Sequence, residues 1–222
     1  MNKEIAYQKL VEKRKQFSFR DQELTNPSET LFDSEGIEPW SQWQNNLNAK
    51  ILLIGQEFCD LDTYNKDQGK IELEKDIYAY PSNKNLNALF SSIGIEIGHP
   101  LNPNRNAPVF FTNAVMGLKN GCMSSNFKDK WLKESREEFL APLIKVIQPE
   151  IIITLGGKAY LSISTLYNQP AMPLGKRLDF NPLIVNENLK LFAFFHPGKL
   201  GTINRSFEQQ KQDWQNVIPY LK

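Results

Sequence analysis

Ile51-Leu52-Leu53-Ile54-Gly55 is four apolar residues in a row, closed by a glycine. A run that short cannot build a helix face, and it shows no polar alternation. It therefore reads as a strand buried on both faces. Three more runs share its character: Val109-Phe110-Phe111-Thr112-Asn113, Ile151-Ile152-Ile153-Thr154-Leu155 and Leu189-Lys190-Leu191-Phe192-Ala193-Phe194-Phe195. Helical spacing lies between them. Leu86, Leu89 and Phe90 form one set; Leu132, Phe139, Leu140, Leu143, Ile144 and Ile147 form another, with Pro142 as an expected kink. Ala159, Tyr160 and Ile163 follow Gly156-Gly157, and Phe207, Trp214, Ile218 and Leu221 mark a C-terminal apolar stripe. Strand alternating with helix predicts an α/β fold, a three-layer αβα sandwich around a central, mainly parallel four-stranded sheet.

Ahead of the first strand, Ile5, Ala6, Leu10 and Val11 place an amphipathic helix within residues 3–17. A turn-rich stretch from Asp21 to Gly36, followed by Pro39-Trp40, reads as loop with one helical turn at most. The chain of 222 residues reads as a single domain, 1–222, with residues 1–40 packing on the core as a helix and loop. Apolar residues at 41% and charged residues at 23% are ordinary for a globular protein, so no composition-biased class applies. With 26 Lys and Arg against 25 Asp and Glu, the net charge is 26 − 25 = +1. That balance argues against a chain coated with nucleic acid and leaves room for a local basic patch. Two cysteines, Cys59 and Cys122, exclude a disulfide scaffold and a four-thiolate metal site. No apolar run reaches the roughly 18–20 residues of a membrane span. Met1-Asn2-Lys3-Glu4 lacks the apolar core of a signal peptide, so a cytoplasmic location is expected.

In such sheets ligands bind outside the carboxyl ends of the strands. Four segments start there: Gly55-Gln56-Glu57-Phe58-Cys59-Asp60, Asn113-Ala114-Val115, Gly156-Gly157-Lys158 and His196-Pro197-Gly198. Glu57 is either a general base or charge stabiliser, or an acid placed for a helix dipole. Asn113 offers a donor and an acceptor for a base edge, or simply a turn residue. His196 is either a donor to a ligand carbonyl or a packed core histidine, whereas His99 reads as a surface loop residue. Gly156-Gly157-Lys158 suits an anion at a helix N-terminus but lacks the P-loop spacing, which disfavours a nucleoside triphosphate site. Asp60 and Asp62 read as a solvated loop rather than metal ligands, and Cys59 as an apolar packing group rather than a nucleophile.

Taken together, in this order, the four segments resemble the uracil-DNA glycosylase superfamily over roughly residues 40–221. The resemblance rests on Gly55-Gln56-Glu57-Phe58-Cys59, Phe111-Thr112-Asn113-Ala114-Val115, Ile153-Thr154-Leu155-Gly156-Gly157-Lys158-Ala159 and Phe195-His196-Pro197-Gly198-Lys199-Leu200. It implies that Glu57, standing where the family has Asp, orients or activates the attacking water and helps stabilise the oxocarbenium-like sugar. It implies that the Gln56 backbone N–H and His196 serve the base O2, and that Asn113 reads the O4/N3 edge. Leu200 takes the place of the wedge that fills the gap left by the flipped nucleotide. Ser82, in Tyr80-Pro81-Ser82, falls where the family grips the phosphate backbone, and Gly157 and Lys158 match a phosphate-contacting turn. Lys158, Lys199, Arg205 and Lys84 would supply a local basic edge, and Gly198 stands where the family has Ser. Cys59 lies where the most specific members carry a Tyr that excludes a C5 methyl. The stacking aromatic falls among Phe58, Tyr64, Tyr78 and Tyr80. The stretch between Asp60 and Asn83 is long enough for a lid or recognition loop.

The implied activity is a monofunctional DNA glycosylase in base-excision repair, a hydrolase of N-glycosyl bonds that flips uracil or a related pyrimidine out of DNA. It would act as a monomer without metal or cofactor, since the cysteines of the iron–sulfur branch are absent. The other readings are excision of a C5-modified pyrimidine from foreign (phage) DNA, a non-catalytic nucleic-acid-binding relative, and a hydrolase of small nucleosides or nucleotides.

Overall fold

The computed structural model describes residues 2–30, 33, 35–37, 46–72, 80–99, 102–122, 127–170, 172–176 and 179–221. Pro39, Trp40 and Tyr78 lie outside these. The elements run α1 (Lys3–Lys15), β1 (Leu24–Thr25), β2 (Ile51–Glu57), α2 (Leu61–Glu72), α3 (Pro81–Ser92), β3 (Gly98–His99), β4 (Asn102–Pro103), β5 (Val109–Val115) and β6 (Leu118–Lys119). They continue with α4 (Asp129–Ser135), α5 (Ala141–Ile147), β7 (Ile151–Leu155), α6 (Gly157–Leu166), β8 (Leu183–Asn186), β9 (Leu189–Phe194), α7 (Lys199–Asn204) and α8 (Phe207–Trp214).

The four apolar runs are β2, β5, β7 and β9, and they lie parallel to one another. The main sheet has five strands, not four, in the order β5-β2-β7-β9-β8, with β8 antiparallel to β9. This fifth strand is only Leu183-Ile184-Val185-Asn186, half-buried and exposed in alternation at the sheet edge. Its weak apolar signal follows from that position, because an edge strand covers one face only.

Alternation along the strands divides the core. Leu52, Ile54, Phe110 and Ile152 face α1 and α4–α6, packing on Leu10, Phe139, Leu143 and Ile163. Ile51, Leu53, Phe192 and Phe194 face α3 and α8, packing on Leu86, Leu89, Phe90 and Trp214. The Trp214 ring stacks on Phe194 at 5.3 Å and meets Phe90 edge-on at 5.0 Å. After Trp214 the chain tightens into a 3-10 turn over Gln215–Tyr220. The tighter turn rotates the phase, so Val217 is buried and the expected stripe residue Ile218 is exposed.

Pro142, expected to kink its helix, follows a π turn. It has no N–H for the carbonyl of Glu138, and the helix passes through a π turn over Arg136–Leu140. Lys13 of α1 donates to that carbonyl at 3.2 Å and to the Glu138 carboxylate at 2.7 Å. Lys3 likewise donates to the Ile147 carbonyl at the end of α5, at 2.8 Å. These bonds tie α1 to the sandwich. No helix among the described residues is long and apolar enough to cross a membrane.

Candidate functional site

Register brings the strand ends together. Gly55 on β2 is level with Asn113 on β5, and Glu57 with Val115. Gly55 and Asn113 are in phase with Leu53 and Phe111, which pack toward α3 and α8, and His196 lies in the loop two residues beyond the end of β9. Strands stand about 4.8 Å apart, so β2 and β9, with β7 between them, are separated by roughly 10 Å. That is the span of one planar base between two polar groups.

Two glycines shape the floor. A Cβ on Gly55 would stand 2.2 Å from Asn113 Oδ1, so the buried Asn113 amide lies where a side chain would otherwise be. At the end of β7, Gly156 has φ +91°, a left-handed backbone that only glycine adopts cheaply, and it turns the chain into α6.

Glu57 ends β2 with its side chain 13% exposed, and the Lys119 side chain beside it is 4% exposed. Lys119 Nζ donates to Glu57 Oε1 at 3.2 Å. Glu57 Oε2 is buried and has no hydrogen-bond partner among the described residues. An ordered water or a ligand can satisfy a buried carboxylate oxygen in that state. Lys119 was not foreseen from the sequence, where a lysine after Gly117-Leu118 carries no motif.

His196 keeps an exposed side, but the surrounding protein desolvates it enough to lower its pKa below the ordinary 6.5. Gly198 N–H donates to its Nδ1 at 3.0 Å. A neutral imidazole that accepts at Nδ1 carries its proton on Nε2, so Nε2 is the donor offered outward. The loop is held from two sides. Asn85 of α3 donates to the Pro197 carbonyl at 2.8 Å. A Cβ on Gly201 would stand 1.8 Å from the His196 carbonyl oxygen, so α7 packs directly on that backbone. The depressed pKa has a stability consequence. The contribution of neutral His196 is complete above pH 6.5 and is lost as pH falls through its lowered folded value. Urea midpoints of the wild type should fall more between pH 7.5 and 5 than those of His196→Asn; equal falls would contradict this.

Ser82, near the start of α3, points at the same loop: a Cβ on Gly198 would lie 2.8 Å from Ser82 Oγ. Next to it, Leu200 and Ile203 of α7 are 78% and 72% exposed, one helical turn apart. Lys199 is exposed beside them.

The remaining candidates fall into different surroundings. Gln56 alternates away from Glu57, so it can offer the site only its backbone. Phe58 is half-buried and meets Tyr64 edge-on at 5.9 Å. Tyr64 itself is 1% exposed, packed with Cys59 and Leu118, and its pKa is raised to about 12 by burial and the nearby Asp33 charge. It has no open face for a base, whereas Phe58 and Tyr80 keep open surface. Gly157 is exposed with open space around it, but Lys158 forms an ion pair with Asp129 and lies over the Phe127 ring. Arg205 grips Asp213 through two hydrogen bonds of 2.8 and 2.6 Å and lies over Phe180, fixing the joint between α7 and α8. Asp60 is not solvated. It is fully buried and caps α2, accepting from the Thr63 N–H and hydroxyl at 2.8 and 2.9 Å. His99 is half-buried in the β3–β4 pair rather than in an open loop. The stretch expected as a lid carries α2 over Leu61–Glu72.

No group of three or more His, Cys, Asp or Glu among the described residues could hold a metal ion. Two surface clefts, of about 730 and 220 Å³, lie beside Lys3, Tyr7 and Leu47 and beside Arg20, Trp131 and Glu134. Neither includes the residues at the strand ends, where the chemistry is concentrated. No protein-family model matches the chain, and no curated protein matches it.

Proposed function

We propose that the protein is a DNA glycosylase that hydrolyses the N-glycosidic bond of a flipped-out uracil or related pyrimidine. One observation carries the reading: a carboxylate with a buried, unpartnered oxygen ends β2, and a neutral histidine donor follows β9, two strands away in the sheet and roughly 10 Å across at the backbone. Breaking this bond leaves negative charge on the base and positive charge on the sugar, and fixed groups of opposite character address each end. Water held by Glu57 Oε2 attacks C1′ and gives its proton to the carboxylate. The C1′–N1 electron pair leaves with the base, whose O2 is stabilised by donation from His196 Nε2. The departing base then takes a proton from solvent. Asn113, tucked over Gly55, reads the far edge of the ring.

The DNA is engaged from the His196 loop. Ser82 Oγ stands where a side chain on Gly198 would sit, so it replaces the hydroxyl that the resembled family carries at that position. Leu200, exposed on α7, is the wedge that fills the vacated stack. Leu200→Ala should slow release from duplex DNA roughly 10-fold and from single strands less than about 2-fold, because a single strand needs little unstacking. Equal losses on both substrates would contradict the wedge. Binding should weaken as salt rises, because phosphate contacts release counterions.

The activity is tested by incubating the protein with oligonucleotides carrying uracil, 5-hydroxymethyluracil or glycosylated hydroxymethylcytosine and assaying for free base. Release of uracil supports the reading. Release of only a C5-substituted base moves the substrate to modified foreign DNA. Binding without release from any substrate leaves a nucleic-acid-binding protein.

A further inference from the structure

We infer that Lys119 is a positioning residue for the reaction: its ammonium fixes the Glu57 carboxylate so that Oε2 alone faces the attacking water. This rests on the glycosylase reading. The ion pair is nearly sealed from solvent on both sides, with 4% exposure for the Lys119 side chain and 13% for that of Glu57. Its geometry divides the carboxylate. Oε1 takes the Lys119 hydrogen bond at 3.2 Å, and Oε2 is buried without a partner. A carboxylate free to rotate would exchange the two oxygens, whereas one anchored at Oε1 presents the other in a fixed direction.

The fold invests in placing this lysine. Lys119 is level with Leu24 in the β1–β6 pair, and its backbone bridges Asp60, two residues beyond the Glu57-Phe58 turn. The N-terminal segment thus locks the residue that aims the carboxylate, which gives β1 a role in catalysis without touching substrate.

The test is a double-mutant cycle on the full chain, measuring single-turnover base release and, separately, DNA affinity by fluorescence anisotropy. Lys119→Met should slow release roughly 10–100-fold, the usual cost of removing a partner that orients a reacting group, with affinity changed less than about 2-fold. Lys119→Arg should restore most of the rate. Adding Lys119→Met to Glu57→Gln should cost less than about 2-fold more, because the group being aimed is already gone. The double variant holds no buried charge at this pair, so it stays informative even where Lys119→Met alone unfolds. Additive losses, a wild-type rate in Lys119→Met, or a loss lying wholly in affinity would overturn the inference while leaving the glycosylase reading intact. A wild-type protein that releases no base from any of the substrates overturns both.

Discussion

Glu57→Gln should lower single-turnover base release by about 10²–10⁴-fold while DNA binding persists. A 10³-fold loss corresponds to about 4 kcal/mol of transition-state stabilisation. The amide keeps the shape of the side chain and can still accept from Lys119. It cannot take a proton from water or oppose the positive charge growing at the sugar. Glutamine also removes the Glu57 charge that faces the buried Lys119 cation. Stability should therefore fall as well, by up to the roughly 3–5 kcal/mol seen when one member of a buried pair is removed. The two effects separate by measurement: affinity and melting temperature report the fold, and the single-turnover rate reports the chemistry. A rate within about 3-fold of wild type, in a variant that binds DNA normally, would remove Glu57 from the mechanism.

Gly201→Ala should be the second large effect, and it acts without touching substrate. The added Cβ would stand 1.8 Å from the His196 carbonyl oxygen. Ordinary contact needs about 3.2 Å, so α7 and the His196 loop must part by more than 1 Å. A displacement of that size at a reacting group costs about 10²-fold in rate. Loss of global stability should be small, because no residue of α7 is buried. Gly175→Ala is the matched control: a Cβ there meets nothing within 4 Å, and its rate should stay near wild type. Equal activities of the two variants would show that the His196 position does not depend on α7 packing.

The parallel strands were legible because each is buried on both faces, which leaves an unbroken apolar run such as Ile51–Ile54. Leu183–Asn186 was not, because an edge strand half-exposed along its length imitates a loop. Glu57, Asn113 and His196 could be singled out because strand ends can be located from runs and ligands gather there. Lys119 could not. It owes its burial to the pairing of β6 with β1, from a distant part of the chain, and a two-residue strand leaves no periodicity. Charge was misleading in the opposite direction. Lys158 and Arg205 read as cations available to phosphate, whereas Asp129 and Asp213 pair with them. Sequence gives the charge of a side chain, and the fold supplies its partner.

Of the local basic edge expected at Lys158, Lys199, Arg205 and Lys84, the exposed Lys199 and Lys84 are left, with the exposed Leu200 next to Lys199. Binding by so few phosphate contacts should be modest and sensitive to salt.

The most direct measurement is chromatographic detection of free base from a uracil-containing single strand, with wild type and Glu57→Gln compared at equal, excess enzyme. The mechanism predicts one equivalent of free uracil and one abasic strand from the wild type, and almost none from the variant over the same time. Quantitative recovery of the intact strand from the wild type, or equal release by both proteins, would contradict it.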